Sequence, residues 1–120
     1  MKKIKIIVTS ILFCFHFSNV WAYDFSAVTN GQKLYYNILS DSPPYRVEVT
    51  SQRGEYPFYD TFPSGNLTIP SSVSYEGITY FVTQIGDNAF YESLELTAVS
   101  IPNTVTCIDT FAFGFCSSLS

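Results

Sequence analysis

The apolar positions in the C-terminal part of the chain recur after 23 residues. The matching pairs are Val82 with Val105, Ile85 with Ile108, Ala89 with Ala112, Phe90 with Phe113, and Leu96 with Leu119. The polar positions between them do not match, as Asp87 against Thr110 shows. A period of this length, confined to apolar positions, is typical of units that pack against each other, and it predicts a solenoid, a propeller or an array.

Within one repeat, the pattern predicts a short strand. Leu96, Val99 and Ile101 follow the spacing L-x-x-V-x-I, the strand signature of leucine-rich repeats, and we expect all three to point inward. The positions expected on the outer face of this strand, where a partner could bind, are Thr97, Ala98 and Ser100.

The residues before this strand predict a compact turn. Gly86 would let the chain turn tightly, and Asp87-Asn88 suits the N-cap of one short helical turn. Ala89 is small where this turn approaches the strand, and Phe90 is expected to fill the interior.

The repeat resembles a known family, the BspA-like leucine-rich repeats of bacterial surface proteins, from Leu67 to Ser120. The residues that carry the resemblance are Ile101-Pro102-x-x-Val105, Ile85-Gly86-x-x-Ala89-Phe90, and the small residue or cysteine at Ser93 and Cys116. Asp109 departs from the pattern, because it stands where the repeat has glycine. The resemblance implies adhesion to host or bacterial surface proteins.

Residues 23–66 predict a small β-rich cap that covers the apolar end of the repeats, as terminal units must. Three segments, 23–25, 34–38 and 45–49, are rich in aromatic and β-branched residues. Asn30-Gly31 predicts a turn, because both residues tolerate positive φ. Residues 51–65 predict a loop whose aromatic side chains either pack beneath it or form a sugar-stacking platform. These side chains are Tyr56, Phe58, Tyr59 and Phe62.

A modified first repeat is expected from Leu67. Its surplus residues, 74–82, predict a β-hairpin around Gly77. The predicted fold is mainly β with short helical turns: a leucine-rich-repeat solenoid of 23-residue repeats, preceded by the β-rich cap. The predicted organisation is a signal peptide at 1–22, the cap at 23–66, and repeats at 67–120, comprising the modified repeat, a complete one at 85–107 and a partial one at 108–120.

The N-terminal segment predicts export. Three lysines within the first five residues precede an apolar stretch at 6–17, and Val20-Trp21-Ala22 offers small or compact residues where a signal peptidase reads. We expect cleavage after Ala22. A transmembrane anchor is disfavoured, because a spanning helix needs about 20 apolar residues. After cleavage we expect no stable membrane span, and a secreted or cell-surface location.

The composition of the exported part argues against several functions. Residues 23–120 carry three basic residues against ten acidic ones, a net charge of −7, which disfavours binding to nucleic acid. The single histidine, His16, lies in the signal segment, so residues 23–120 have no Ser-His-Asp or Cys-His site and lack the usual zinc ligand. No phosphate-binding loop motif occurs. We expect no cofactor, no metal and no catalysis.

Two cysteines and a few carboxylates leave alternatives. Cys116 is expected to be a buried, reduced thiol in register with Ser93, although export permits a disulfide with Cys107. Two carboxylate pairs are possible glycosidase acids, but solvated surface acids are the favoured interpretation because no spacing singles out a pair. These pairs are Glu48 with Glu55, and Asp60 with Glu76.

These patterns favour a non-catalytic module that binds a protein or another surface macromolecule through its strand face. The alternative is an accessory region of a secreted glycoside hydrolase or peptidase whose catalytic domain lies outside this sequence. The partial last repeat predicts a fragment of a longer repeat protein. It also predicts self-association through the open C-terminal repeat, where an apolar patch would be exposed at or near Phe111, Phe113, Phe115 and Leu119.

Overall fold

The computed structural model describes residues 22–120 and is mainly β, with no helix among those residues. The strands of these residues are β1 (Phe25–Thr29), β2 (Gln32–Ser40), β3 (Arg46–Thr50), β4 (Gly65–Thr68), β5 (Ser72–Tyr75), β6 (Ile78–Ile85), β7 (Leu96–Ser100) and β8 (Cys107–Ile108). Except for Ala22, the predicted signal peptide lies outside the described residues. Within residues 22–120, no helix has the length and apolarity needed to cross a membrane.

Six strands form one sheet in the order β1-β2-β3-β6-β5, and β8 pairs with the end of β6. Two-residue turns close its hairpins β1-β2 and β5-β6, and both residues of each turn have positive φ. The φ angles are 49° at Asn30, 80° at Gly31, 52° at Glu76 and 80° at Gly77. Positive φ at both positions matches the right-handed twist of the paired strands, so these residues set the register of each hairpin.

The first repeat joins the cap strands through β6, which lies parallel to β3. Val47 pairs with Val82 and Val49 with Ile85, and all four side chains are fully buried. A single hydrophobic core therefore extends from the cap strands into the repeats. Residues on both sides of position 66 contribute to this core. The predicted boundary between the cap (23–66) and the repeats (67–120) stays a prediction.

The two repeats stack through backbone hydrogen bonds in their turns. The amides of Ala89, Tyr91 and Ser93 close turns onto carbonyls three residues earlier in the chain. The alternate amides donate across to the next repeat: Asn88 to Thr110, Phe90 to Ala112 and Glu92 to Gly114, at 3.1, 2.7 and 2.8 Å. These alternate hydrogen bonds form a ladder that links the turns of the two repeats.

The same hydrogen bonds show that the helical turn predicted at Asp87-Asn88 does not form. A helix would require each amide to donate four residues back, but every second amide here donates to the following repeat. Asn88 and Glu92 have φ angles of 59° and 58°, which lie outside the right-handed helical region. Residues 86–96 are therefore a run of turns, and the sequence signal for a cap marks a turn position instead.

Gly86 stands where the turn approaches β3 closely. Its φ is not among the positive values of the described chain. A Cβ added at this position would lie 2.9 Å from Glu48 Oε1 and 3.1 Å from the Val49 carbonyl oxygen. The Gly86 amide donates to the same Val49 carbonyl at 2.8 Å, so the turn lies directly against β3.

Candidate functional site

The expected strand face is built on the parallel pair β4-β7, which forms a separate two-stranded sheet. Leu67 pairs with Val99 on the inner side, where Leu67 is buried and Val99 packs against the core. Asn66 pairs with Ala98, and Thr68 with Ser100, on the opposite side. The register of the pair shifts between Gly65 and Asn66, which lets the consecutive residues Thr97 and Ala98 both face outward.

The structure places all three predicted face residues at the surface. Thr97, Ala98 and Ser100 are exposed on β7, and Asn66 is exposed beside them on β4. The Thr97 hydroxyl lies 3.4 Å from the Asn66 side-chain oxygen. The face is therefore uncharged and carries small hydroxyl and amide groups that can hydrogen-bond to a partner.

Ile101, predicted to point inward with Leu96 and Val99, is not buried in the structure. Leu96 is fully buried, but β7 ends at Ser100, and the Ile101 side chain is 38% exposed. Its counterpart one repeat earlier, Ile69, is only 2% exposed, and its amide is bonded to the Ser100 carbonyl of the following strand. The described chain supplies no strand beyond β7 to cover Ile101 in the same way.

Gln32 closes the outer edge of β4 and was not found by sequence reasoning. Its side-chain nitrogen donates to the carbonyls of Ser64 and Asn66 at 2.8 and 3.2 Å, and its side-chain oxygen accepts from the Ser64 amide at 3.3 Å. The carboxamide thus replaces the peptide groups of a neighbouring strand, which protects an open edge. No local pattern marks it, because its partners lie more than 30 residues away.

A polar cleft of about 630 Å³ adjoins the strand face through Gln32 and Ser64. Lys33, Tyr35 and Asp60 also line it. Hydrogen bonds from Gln52 and Arg53 lower the pKa of the Asp60 carboxyl, so this group is held as an anion by its own neighbours.

The aromatic loop mainly serves packing. Phe58 and Tyr59 are buried and Phe62 is half-buried, whereas Tyr56 is exposed. The Tyr59 hydroxyl donates to the carbonyls of Ala89 and Thr50, and burial raises the pKa of this phenol. Tyr59 therefore ties the loop to the first turn of the repeats, so a flat sugar platform formed by all four rings is not present.

The two cysteines of the described residues are not joined to each other. Cys116 is half-buried and not fully buried as predicted, because within the described chain only one repeat packs against it. Its thiol donates to the Phe90 carbonyl at 3.1 Å, and burial raises its pKa, while Cys107 is exposed. Both sulfurs are free thiols in the structure. Glu48 accepts hydrogen bonds from Asn37 and Gln84.

Metal ligands are not gathered in residues 22–120, where no group of three or more His, Cys, Asp or Glu side chains is placed to hold an ion.

Comparison with known proteins agrees with the repeat geometry. Residues 83–120 match the family model described as a BspA type leucine rich repeat region (6 copies). The structure of a leucine-rich repeat protein from Bacteroides ovatus is similar, with 32% identity, a TM-score of 0.61 and coverage of 81% of this chain and 22% of that chain. One from Bacteroides capillosus has 29% identity, a TM-score of 0.57 and coverage of 79% and 62%. No curated protein matches.

The parallel strand pair and the turns stacked at the repeat spacing define the class as leucine-rich-repeat protein. The predicted resemblance is confirmed: residues 83–120 carry BspA type leucine-rich repeats, and the fold is similar to those of two bacterial leucine-rich-repeat proteins. The family suggests a protein-binding surface module, and its members are typically non-catalytic. The alternative, an accessory region of a hydrolase or peptidase, gains no support from these comparisons.

Proposed function

We propose that this chain is a secreted or cell-surface adhesion module that binds a protein through the outer face of β4-β7 and catalyses no reaction. The turns from Gly86 onward, joined by hydrogen bonds to the following repeat, would belong to a solenoid that extends this face. The chain spans 22% and 62% of the two similar proteins, so the activity of the whole protein is part of the proposal.

One observation carries the proposal: the outward row of β4-β7 is exposed, uncharged and composed of small side chains. Asn66, Thr97, Ala98 and Ser100 leave backbone and hydroxyl groups accessible with little side-chain entropy to lose. The edge of β4 is already bonded to Gln32, which leaves the flat face, and not that edge, as the accessible part. This arrangement suits a partner surface that lies across several strands.

Replacing Ala98 with Arg should weaken partner binding about tenfold or more, because a long charged side chain at the centre of the face blocks close contact. The immobilised chain would first be screened against purified host matrix and plasma proteins and bacterial surface proteins by surface plasmon resonance. Ser26→Arg is the matched control, since Ser26 is a small exposed residue on β1. Equal affinities for the two variants, or binding to no protein of the panel, would contradict the proposal.

Export is proposed from the N-terminal pattern, and the chain isolated from the growth medium or the cell surface should begin at Tyr23. The expected cleavage follows Ala22, where a small side chain fits the peptidase site. N-terminal sequencing measures this directly. Ala22→Tyr should block processing and leave the longer form in the membrane fraction. A retained Met1 in exported protein would count against the signal peptide.

A further inference from the structure

A second surface depression lies away from the strand face, on the turn side of the repeats. Its volume is about 570 Å³, and it is lined by Tyr56, Phe58, Asn88, Tyr91, Glu92 and Phe111. Neighbouring rings stand nearly at right angles. The angle is 83° between Tyr56 and Phe58, 83° between Phe58 and Tyr91, and 78° between Tyr91 and Phe111, with ring centroids 5.7–6.1 Å apart. The rings thus form successive walls and not a flat stack.

The repeat register holds Tyr91 in this arrangement. Its ring lies over Gly114 of the next repeat, where an added Cβ would come within 2.8 Å of the ring. Phe111 and Phe115 flank the same ring, at 6.1 and 5.5 Å between centroids. Glycine at 114 therefore makes the space that Tyr91 occupies, and the aromatic wall crosses from one repeat to the next.

Two residues of the depression keep large side chains at a backbone conformation that disfavours them. Glu92 has a φ of 58° and Phe111 a φ of 56°, in the left-handed region where Gly or Asn is less strained. Phe111 is nevertheless 61% exposed, so its ring contributes little to the core. Both angles belong to the turn geometry of the repeat, because the equivalent residues one repeat away, Asn88 and Phe115, have φ angles of 59° and 57°. The turn therefore sets where the exposed Phe111 ring stands in the depression.

The electrostatics of the depression favour a cation. Glu92 is half-buried at its rim, and no Lys or Arg is among the lining residues. A hydrogen bond to the Glu92 carboxylate raises the pKa of the Tyr56 hydroxyl, which places both groups on the same side of the depression. Aromatic faces carry negative potential and attract ammonium or guanidinium groups within about 6 Å. The excess of acidic residues in the exported chain acts in the same direction.

We propose that this aromatic depression holds the cationic side chain of a lysine or arginine on a partner protein, between the rings of Tyr56, Tyr91 and Phe111 and beside Glu92. The proposal rests on the proposed protein-binding function and adds a second contact with a charge requirement. Affinity would come from two sources, cation–π attraction and the carboxylate, so binding of a single side chain is weak and salt-sensitive.

The test uses the peptide acetyl-Gly-Arg-Gly-amide and its neutral isostere, acetyl-Gly-citrulline-Gly-amide, titrated into the purified chain. We expect the arginine peptide to shift the NMR signals of the Tyr91 and Phe111 rings, and the citrulline peptide to leave them unchanged. Glu92→Gln should weaken arginine-peptide binding by about three- to fivefold, and Tyr56→Leu should also weaken it. Both residues lie at the surface, so both variants should fold. Glu55→Gln is the control, because Glu55 is exposed and does not line the depression.

Equal binding of the two peptides, no shift with either, or no effect of Glu92→Gln would overturn the proposal. The other possible occupant is a second copy of this chain, and sedimentation of the chain alone tests whether it self-associates. If it does, and if the NMR signals of the Tyr91 and Phe111 rings change with protein concentration, the depression belongs to self-association and the proposal is also overturned. Ala98→Arg should leave peptide binding unchanged. If Ala98→Arg weakens binding of a protein partner and Glu92→Gln does not, only this inference fails and the proposed function stands.

Discussion

Replacing Phe90 with Ala should lower the free energy of unfolding by about 3–5 kcal/mol, which is a large part of the stability of a small domain. The Phe90 side chain is 0% exposed, and its ring stacks on Phe113 with centroids 5.3 Å apart and planes 15° apart. Its removal would leave a cavity where the turns of the two repeats meet the strands. Chemical denaturation of residues 23–120 measures the loss as a shift in the midpoint.

The repeat register supplies a matched control for this substitution. Phe113 is the equivalent residue one repeat later, but its side chain is only half-buried. Phe113→Ala should therefore cost clearly less than Phe90→Ala, because part of its surface is already in contact with solvent. Equal losses in the free energy of unfolding for the two variants would show that the deeper burial of Phe90 does not determine its contribution to stability.

The sequence predicts the elements whose signals are local. The turn residues Asn30-Gly31 and Gly77 predict two-residue turns, and the structure forms both hairpins at these positions. The match of Phe90 with Phe113 predicts the register in which the repeats stack, because identical packing environments select identical apolar residues. The strand of the repeat was also predictable, since the spacing L-x-x-V-x-I separates buried Leu96 from exposed Thr97 and Ala98.

The remaining features depend on partners that are distant in the chain. The parallel pairing of β3 with β6 joins residues more than 30 positions apart, and no periodicity indicates which cap strand meets the first repeat. Gln32 closes the edge of β4 through an amide that looks like any surface glutamine in the sequence. The residues Asp87-Asn88 are typical of a helix cap, but the Asn88 amide donates to the Thr110 carbonyl of the next repeat, and a turn forms instead of a helix.

Of the two candidate surfaces, the strand face has a local signal in the sequence and the aromatic depression does not. The outward positions on β7 follow from the spacing L-x-x-V-x-I within one strand, so they were predictable. The aromatic depression was not, because Tyr56 belongs to the loop, Tyr91 to one repeat and Phe111 to the next. Only the fold brings these rings together. The one local trace is Gly114, whose missing side chain makes room for Tyr91.

Replacing Gly86 with Ala should destabilise the protein by about 1–3 kcal/mol, as expected for overpacking in a closely packed region. The added Cβ would lie 2.9 Å from Glu48 Oε1 and 3.1 Å from the Val49 carbonyl oxygen. The carboxylate can rotate away only by giving up its hydrogen bonds with Asn37 and Gln84, and the backbone carbonyl has no such freedom. The turn would therefore have to move off β3, which weakens the contact that joins cap and repeats.

Asp109 provides the comparison, because it occupies the position of Gly86 in the next repeat. Its side chain is exposed, and its amide donates to the Ile85 carbonyl at 2.8 Å, as the Gly86 amide does to Val49. A Cβ is thus tolerated at this position when the neighbouring strand leaves room. Asp109→Ala removes the exposed hydrogen bond from the Thr110 amide to Asp109 Oδ1, at 2.8 Å, and should therefore cost no more than about 1 kcal/mol. Thermal unfolding of both variants is compared with that of the unmodified chain. If Gly86→Ala cost no more than Asp109→Ala, the close approach of the turn to β3 would not be what requires glycine at position 86.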